Sequence, residues 1–173
     1  LKTTKAQTLS TAGGLAATGN ALDPMFGTAG ACGKIADAVE PKVATYTFKS
    51  KGFTMLGLPT VQATIKTTGK YGMIASRLWD VTGGQRRLIT RGVYRLLDNQ
   101  TGTVTFQLHG NAYKFESGHT VKLELLASDS PYYQKSKGIF NVKVSKLALE
   151  IPTLEGRNSA KGIGAPSLGK FKR

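Results

Sequence analysis

A single cysteine, Cys32, stands among 173 residues, so neither an internal disulfide nor a cysteine-based zinc cluster is available to this sequence. Histidine is nearly as scarce. His109 and His119 lie far from Cys32 and have no matching nucleophile. The Gly-x-Ser-x-Gly pattern of a nucleophile elbow is missing. So are a phosphate-binding P-loop, a Gly-x-Gly-x-x-Gly after a strand, and paired carboxylates at a plausible site. No loop carries two acids at the spacing of a calcium site. These gaps leave no catalytic residue, no metal set and no cofactor to assign. No run approaches the roughly 20 apolar residues that cross a bilayer as a helix. Acids are also short in supply, with ten Asp and Glu against 24 Lys and Arg, a formal net charge of +14.

Such a balance invites a nucleic-acid reading. The distribution argues against it. Basic residues occur in every segment and never run longer than two, as at Arg86-Arg87. Arms that bind nucleic acid concentrate their charge, so a solvated basic surface is the expected reading.

What is present is strand pattern. Residues 42–152 carry about eight runs of alternating apolar and polar residues separated by turn signals. Val104, Phe106 and Leu108 point one way and Thr103, Thr105 and Gln107 the other. Val121, Leu123 and Leu125 alternate with Lys122 and Glu124, which are expected to face outward. Gly92 interrupts a strand, a place for a bulge or bend. In the last run the apolar set switches parity, from Phe140, Val142 and Val144 to Leu147, Leu149 and Ile151. A period-2 element changes faces only with an extra residue, which predicts a bulge or sheet crossing at Ser145–Lys146. With no long helix in view, the class is all-β, an antiparallel sandwich.

The flanks differ. Residues 1–41 are rich in Gly, Ala and Thr and hold no sustained period, with a helical turn expected near Lys34–Val39. They read as a lead-in, and the start at Leu1 reads as either a processed product or a piece of something longer. Residues 153–173 lose all pattern and read as a flexible basic tail. Asp80, Asp98 and Asp129 sit at strand ends or turns, where Asp caps or makes an Asx turn. The two histidines are expected to be structural. In the loop "SDSPYYQKSKG", Asp129, Pro131, Tyr132 and Tyr133 form a contact candidate. Two tyrosines after a proline make a rigid, amphipathic surface. The bland reading, with one tyrosine plugging the sandwich and the other merely exposed, stands equally beside it.

Five stretches carry a resemblance: "GLPTVQATI", "IASRLWDV", "LITRGVYRL", "FQLHGNAYKFESGHTVKLELLASDSPYY" and "FNVKVSKLALEIP", in order and at natural spacing. Together they resemble the C-terminal domain of the X-prolyl dipeptidyl-peptidase and cocaine-esterase-like (CocE/NonD) serine hydrolases, over about residues 42–152. The resemblance implies a jelly-roll sandwich similar to galactose-binding domains, following an α/β-hydrolase domain that carries the catalytic triad. No triad position carries over, so this chain alone is expected to be non-catalytic. Its partner would be that upstream hydrolase domain, whose substrate cleft it would help to shape. The Asp129–Tyr133 loop would make the contact, with Leu22–Phe26 as a second. Within the resemblance Trp79 packs inward, and Arg77, Arg86, Arg87, Arg91 and Arg95 are mostly a solvated face. A stand-alone carbohydrate-binding sandwich is the alternative, and a nucleic-acid groove is disfavoured.

Overall fold

The computed structural model describes residues 5–23, 27 and 32–155. The order is β1 (Gln7–Ser10), α1 (Ala16–Ala21), β2 (Lys34–Ala36), β3 (Ala44–Lys49), β4 (Phe53–Gly57) and β5 (Thr60–Gly69). There follow β6 (Met73–Thr82), β7 (Gln85–Arg95), β8 (Thr101–Gln107), β9 (Asn111–Phe115), β10 (Thr120–Leu126) and β11 (Phe140–Glu150). Every long alternating run of the sequence became a strand. The runs that sequence reading passed over are short or pair weakly. β1 and β2 have four and three residues, and β4 and β9 form a two-stranded sheet of their own. The turn expected near Lys34–Val39 is β2, an edge strand beside β7. The helix lies earlier, at α1.

Two antiparallel sheets make the sandwich, ordered β1-β11-β5-β8 and β2-β7-β6-β10-β3. The chain stays in one sheet through the β6–β7 hairpin but crosses between sheets at β5–β6, β7–β8 and β10–β11. These crossings give the jelly-roll character. The inner faces meet in one buried cluster. It includes Ile65, Phe106 and Val144 from the first sheet and Ile74, Leu78 and Leu123 from the second. Each such side chain contributes about 1.5–3 kcal/mol by leaving water.

Two bulges set which side chains share a face. In β11 the register slips between Ser145 and Ala148, and Lys146 takes a φ of 47°. The parity switch is therefore absorbed where the sequence placed it. Phe140, Val142, Val144, Leu147, Leu149 and Ile151 are all buried. In β7 the register slips opposite Leu78–Trp79, so that Ile89 is the extra residue, rather than at Gly92. Gly92 serves a different purpose. A Cβ there would stand 2.9 Å from the Leu108 Cα and 3.0 Å from the Gln107 carbonyl oxygen, so only glycine lets β7 approach the end of β8 so closely.

The flanks of the sandwich take part in it. β1 pairs with β11 and β2 with β7. At the other end Thr153 bridges Met55, and the Leu154 amide donates to the Thr54 carbonyl at 3.0 Å. The rest of the sequence expected to be a basic tail, 156–173, lies outside the described residues.

Candidate functional site

The outer face of the five-stranded sheet overturns the expectation of a solvated arginine face. Arg77, Arg86 and Arg91 are buried, Arg87 is half-buried, and Arg95 alone of the five is exposed. The reason is cover. Residues 15–22 and 37–40 lie across this face and are tied to it by polar contacts. The β7 bulge makes the arrangement possible. Arg86 and Arg91 have opposite parity, and the extra residue at Ile89 brings both to the outer side with Arg77 and Trp79. Trp79, expected to pack inward, is instead buried on this outer side, among the charges.

The contacts form a continuous buried network. Glu40 accepts from the Leu15 amide at 2.7 Å, from Arg77 at 3.3 Å and from Arg86 at 2.9 Å. Glu124 accepts from the Trp79 indole at 2.8 Å and from Arg86 at 3.0 Å. The Arg86 guanidinium also lies over the Trp79 ring, 4.5 Å from its centroid. Arg86 donates further to the Thr18 hydroxyl, and Arg91 to the Leu22 carbonyl. Lys122 reaches Glu124, Asp37 and the Ala38 carbonyl. Lys122 and Glu124 therefore do face out of the core, but into this network rather than into water. Burial alone would raise the Glu40 pKa. The Leu15 amide, Arg77, Thr18 and Arg86 more than offset that, and it lies below the ordinary value.

The loop singled out in the sequence grows from the edge of this network. Asp129 has no exposed surface. Its carboxylate accepts from Arg77 through Nε at 2.8 Å and through Nη2, and from Arg91 at 3.4 Å. It therefore anchors the loop from inside. The Tyr133 amide donates to its carbonyl, closing the turn around a cis Ser130–Pro131 bond. Pro131 is exposed. Tyr132 is 43 % exposed and lies under the Arg91 guanidinium, 4.2 Å from ring centroid to cation. Tyr133 packs edge-on against Tyr132 and shares a 2.8 Å hydrogen bond with His109 Nε2. Burial, then the charges of Tyr132 and Asp129, push the Tyr133 hydroxyl up to about 12 against the pull of Arg91. α1 backs the loop, since any Cβ at Gly19 would collide with the Ser130 carbonyl. A cleft of about 230 Å³ opens beside it, lined by Gly13, Gly14, Ser128, Ser130 and Lys135 among others. Of Leu22–Phe26, expected to be a second contact, Leu22 carries the carbonyl that Arg91 uses, and 24–26 lie outside the described residues.

A smaller cluster sits at one end of the sandwich. Asp80 accepts from the Tyr113 hydroxyl at 2.7 Å and pairs with His119 Nδ1 at 3.0 Å. Burial first, then Asp80, raise the Tyr113 hydroxyl to about 12. Asp80 thus binds distant side chains rather than capping a turn, and His119 bonds a carboxylate rather than nearby backbone. Among the described residues no group of three His, Cys, Asp or Glu is placed to hold a metal, and no helix is long and apolar enough to cross a membrane.

The described residues thus define an all-β, antiparallel jelly-roll sandwich whose outer sheet face is covered by an ion-paired segment. By sequence, no family model and no curated protein matches the chain. By structure, the fold is that of part of several hydrolases. An aminopeptidase from a marine sediment Thaumarchaeota archaeon superposes with a TM-score of 0.56 at 14 % identity, covering 65 % of this chain and 26 % of that one. An alpha-amino acid ester hydrolase superposes at 0.53 and 18 % identity, covering 64 % and 26 %. A CocE/NonD family hydrolase from Staphylococcus aureus gives 0.48 at 11 % identity, covering 87 % and 37 %. The chain spans about a quarter of the length of the first two.

Proposed function

We propose that this chain is the non-catalytic accessory sandwich of an α/β-hydrolase of the acyl-esterase or X-Pro dipeptidyl-peptidase type. It packs on the catalytic domain and shapes the substrate cleft. One observation carries this reading. The same fold occupies about a quarter of an aminopeptidase and of an alpha-amino acid ester hydrolase, and most of each chain lies beyond the match. The sequence agrees, since it offers no nucleophile elbow and no Ser-His-Asp set.

The contact surface is Pro131, Tyr132 and Tyr133, with Asp129 holding the loop rather than touching the partner. The half-exposed tyrosine ring is pinned by Arg91, so little side-chain freedom is lost on docking. Inter-domain faces of this kind bury about 600–1,500 Å² and favour aromatic anchors. The cleft beside Ser128 and Ser130 extends the same surface.

The coding frame of the natural polypeptide tests the first half. It is expected to contain a hydrolase domain with Gly-x-Ser-x-Gly, and a complete polypeptide without one would refute the reading. In the intact hydrolase, Tyr132→Ala with Tyr133→Ala is expected to change KM or thermal stability while the sandwich stays folded. An unchanged enzyme would remove the loop from the interface. The isolated chain is expected to turn over neither activated esters nor X-Pro anilides. Turnover abolished by a serine-directed inhibitor would overturn its non-catalytic assignment.

A further inference from the structure

The outer face of the four-stranded sheet is the opposite of the covered arginine face. Among the described residues nothing covers it, and beside two lysines it is built mostly from hydroxyl and amide side chains. Across it runs one row of four residues in direct register, Thr8, Lys143, Lys66 and Thr101, one from each strand. All four are exposed. Lys66 and Lys143 are therefore side by side on neighbouring strands, where facing side chains stand about 5 Å apart. Like charges so placed repel, and a sheet ordinarily sets an acid between or opposite them. Here neither lysine has a hydrogen bond or ion-pair partner among the described residues. The one acid of this face among the described residues, Glu150, lies at the far end of the ladder opposite Thr60.

Polar rows flank the lysines on both sides. Asn141 faces Thr68 on one side, and Ser145, Thr64 and Thr103 line up on the other. Beyond them the Gln62 amide donates to the Thr105 hydroxyl. Rows repeat every two residues, about 7 Å along the strands. A chain lying on this face would meet a doubled positive charge with hydroxyl and amide groups before and after it.

We infer that this face binds a linear acidic polysaccharide, with Lys66 and Lys143 together taking one carboxylate or sulfate and the flanking Thr, Ser and Asn side chains taking sugar hydroxyls. Nucleic acid fits less well. Among the described residues the face has no aromatic ring on which bases stack and no arginine fork for phosphate or guanine. A four-stranded face is also too broad for the major groove, which admits a helix or a two-stranded ribbon. Charge complementarity supplies the attraction, and the excess of basic over acidic residues in the chain extends it. The site lies on the sheet opposite the proposed hydrolase contact, so the two readings stand or fall separately.

The test uses the purified chain with heparin, polygalacturonate and duplex DNA, in titrations at several salt concentrations. Heparin or polygalacturonate is expected to bind with salt-sensitive affinity. Lys66→Gln with Lys143→Gln is expected to weaken binding about tenfold and to flatten the salt dependence, as loss of two counterion-releasing contacts requires. Lys49→Gln with Lys51→Gln, at the end of β3 in the other sheet and in the loop that follows it, serves as the control and is expected to leave binding unchanged. Lys143→Glu is expected to raise Tm, by replacing a repulsive pair with an attractive one, while abolishing binding. Three results would overturn the inference. These are no binding of either polysaccharide, equal loss in both double variants, and DNA binding tighter than either glycan. A Tm lowered by Lys143→Glu would remove the repulsive pair on which it rests.

Discussion

Asp129 joins the covered charge network to the exposed loop, and its removal has a magnitude that the structure sets. The carboxylate takes two hydrogen bonds from Arg77 and one from Arg91, and all three groups are buried. Removing one partner of a buried pair costs about 3–5 kcal/mol because the other charge stays behind unpaired. Here part of that loss is recovered. Arg77 keeps Glu40 at 3.3 Å and Glu124 at 3.8 Å, and Arg91 keeps the Leu22 carbonyl at 3.0 Å. Asp129→Ala is therefore expected near the low end, about 3 kcal/mol. Asp129→Asn keeps an acceptor but leaves a buried positive charge uncompensated, and is expected to cost about 2 kcal/mol.

Urea unfolding followed by fluorescence reads these values directly. Trp79, the chain's one tryptophan, lies inside the network with its indole on Glu124. Adding Arg77→Met to Asp129→Ala is expected to cost at least about 1 kcal/mol less than the sum of the two single changes, since they remove two ends of one interaction. An Asp129→Ala cost below about 1 kcal/mol, or strict additivity in the cycle, would mean that the pair contributes little and that the loop is held by something else.

Three further outcomes follow from other parts of the molecule. The folded-state pKa of Glu40 lies below its usual value of 4.5, so its contribution is complete above that value and is lost as pH falls through the folded pKa. Glu40→Gln is expected to lower stability at pH 7 and to flatten the acid limb of a stability–pH curve, and an unchanged limb would contradict the assignment. Tyr46, Tyr113 and Tyr133 have hydroxyls pushed up to about 12, so absorbance at high pH is expected to show a late-titrating group of tyrosines. Tyr113→Phe should remove one member of it. The stability that these tyrosines confer is present below pH 10 and lost as pH rises through 12. Gly92→Ala is expected to cost about 1–3 kcal/mol by forcing backbone against backbone at Leu108, measured by thermal unfolding; a neutral result would deny the close approach.

The sandwich was legible in the sequence because its strands alternate, and alternation reports which residues enter the core. The bulge at Ser145–Lys146 was legible for the same reason, as a break in parity between Val144 and Leu147. The buried charge network was not. Period-2 reading assigns Arg77, Lys122 and Glu124 to the side facing away from the core, and that assignment is correct. It carries no information on what covers that side. The cover comes from residues 15–22 and 37–40, in a part of the sequence whose Gly, Ala and Thr composition has no period to read. One signal was available. On the central strands β6 and β10 the outward positions are Arg77 and Trp79, then Lys122 and Glu124. A tryptophan between charges of both signs is an expensive thing to leave in water. That a tyrosine-bearing polar loop leaves the sandwich here was legible from Pro131, Tyr132 and Tyr133, but Asp129 looked like a turn residue. Its partners lie 52 and 38 residues away, beyond any local rule.

Ion pairs are a costly way to attach a segment, since an apolar face of the same shape is often as stable or more so. The composition of the covering segment suggests what the charges supply instead. Leu15, Thr18, Leu22, Asp37, Ala38 and Glu40 offer the sheet few apolar side chains, and a hydrophobic fit among so many small residues would tolerate sliding. Hydrogen bonds do not tolerate it. The Glu40 carboxylate reaches the Leu15 amide, Arg77 and Arg86 together only in one register. Arg86 adds Thr18, and Arg91 adds Leu22. The same two arginines share the outer face only because of the Ile89 bulge, so the register of the cover and the register of the β6–β7 ladder are fixed by one set of charges. This also positions the loop. Arg91 holds the Leu22 carbonyl on one side and Asp129 and the Tyr132 ring on the other. A shift of the covering segment would therefore be felt at the tyrosines, and a partner docking on the tyrosines would press on the segment through a single guanidinium.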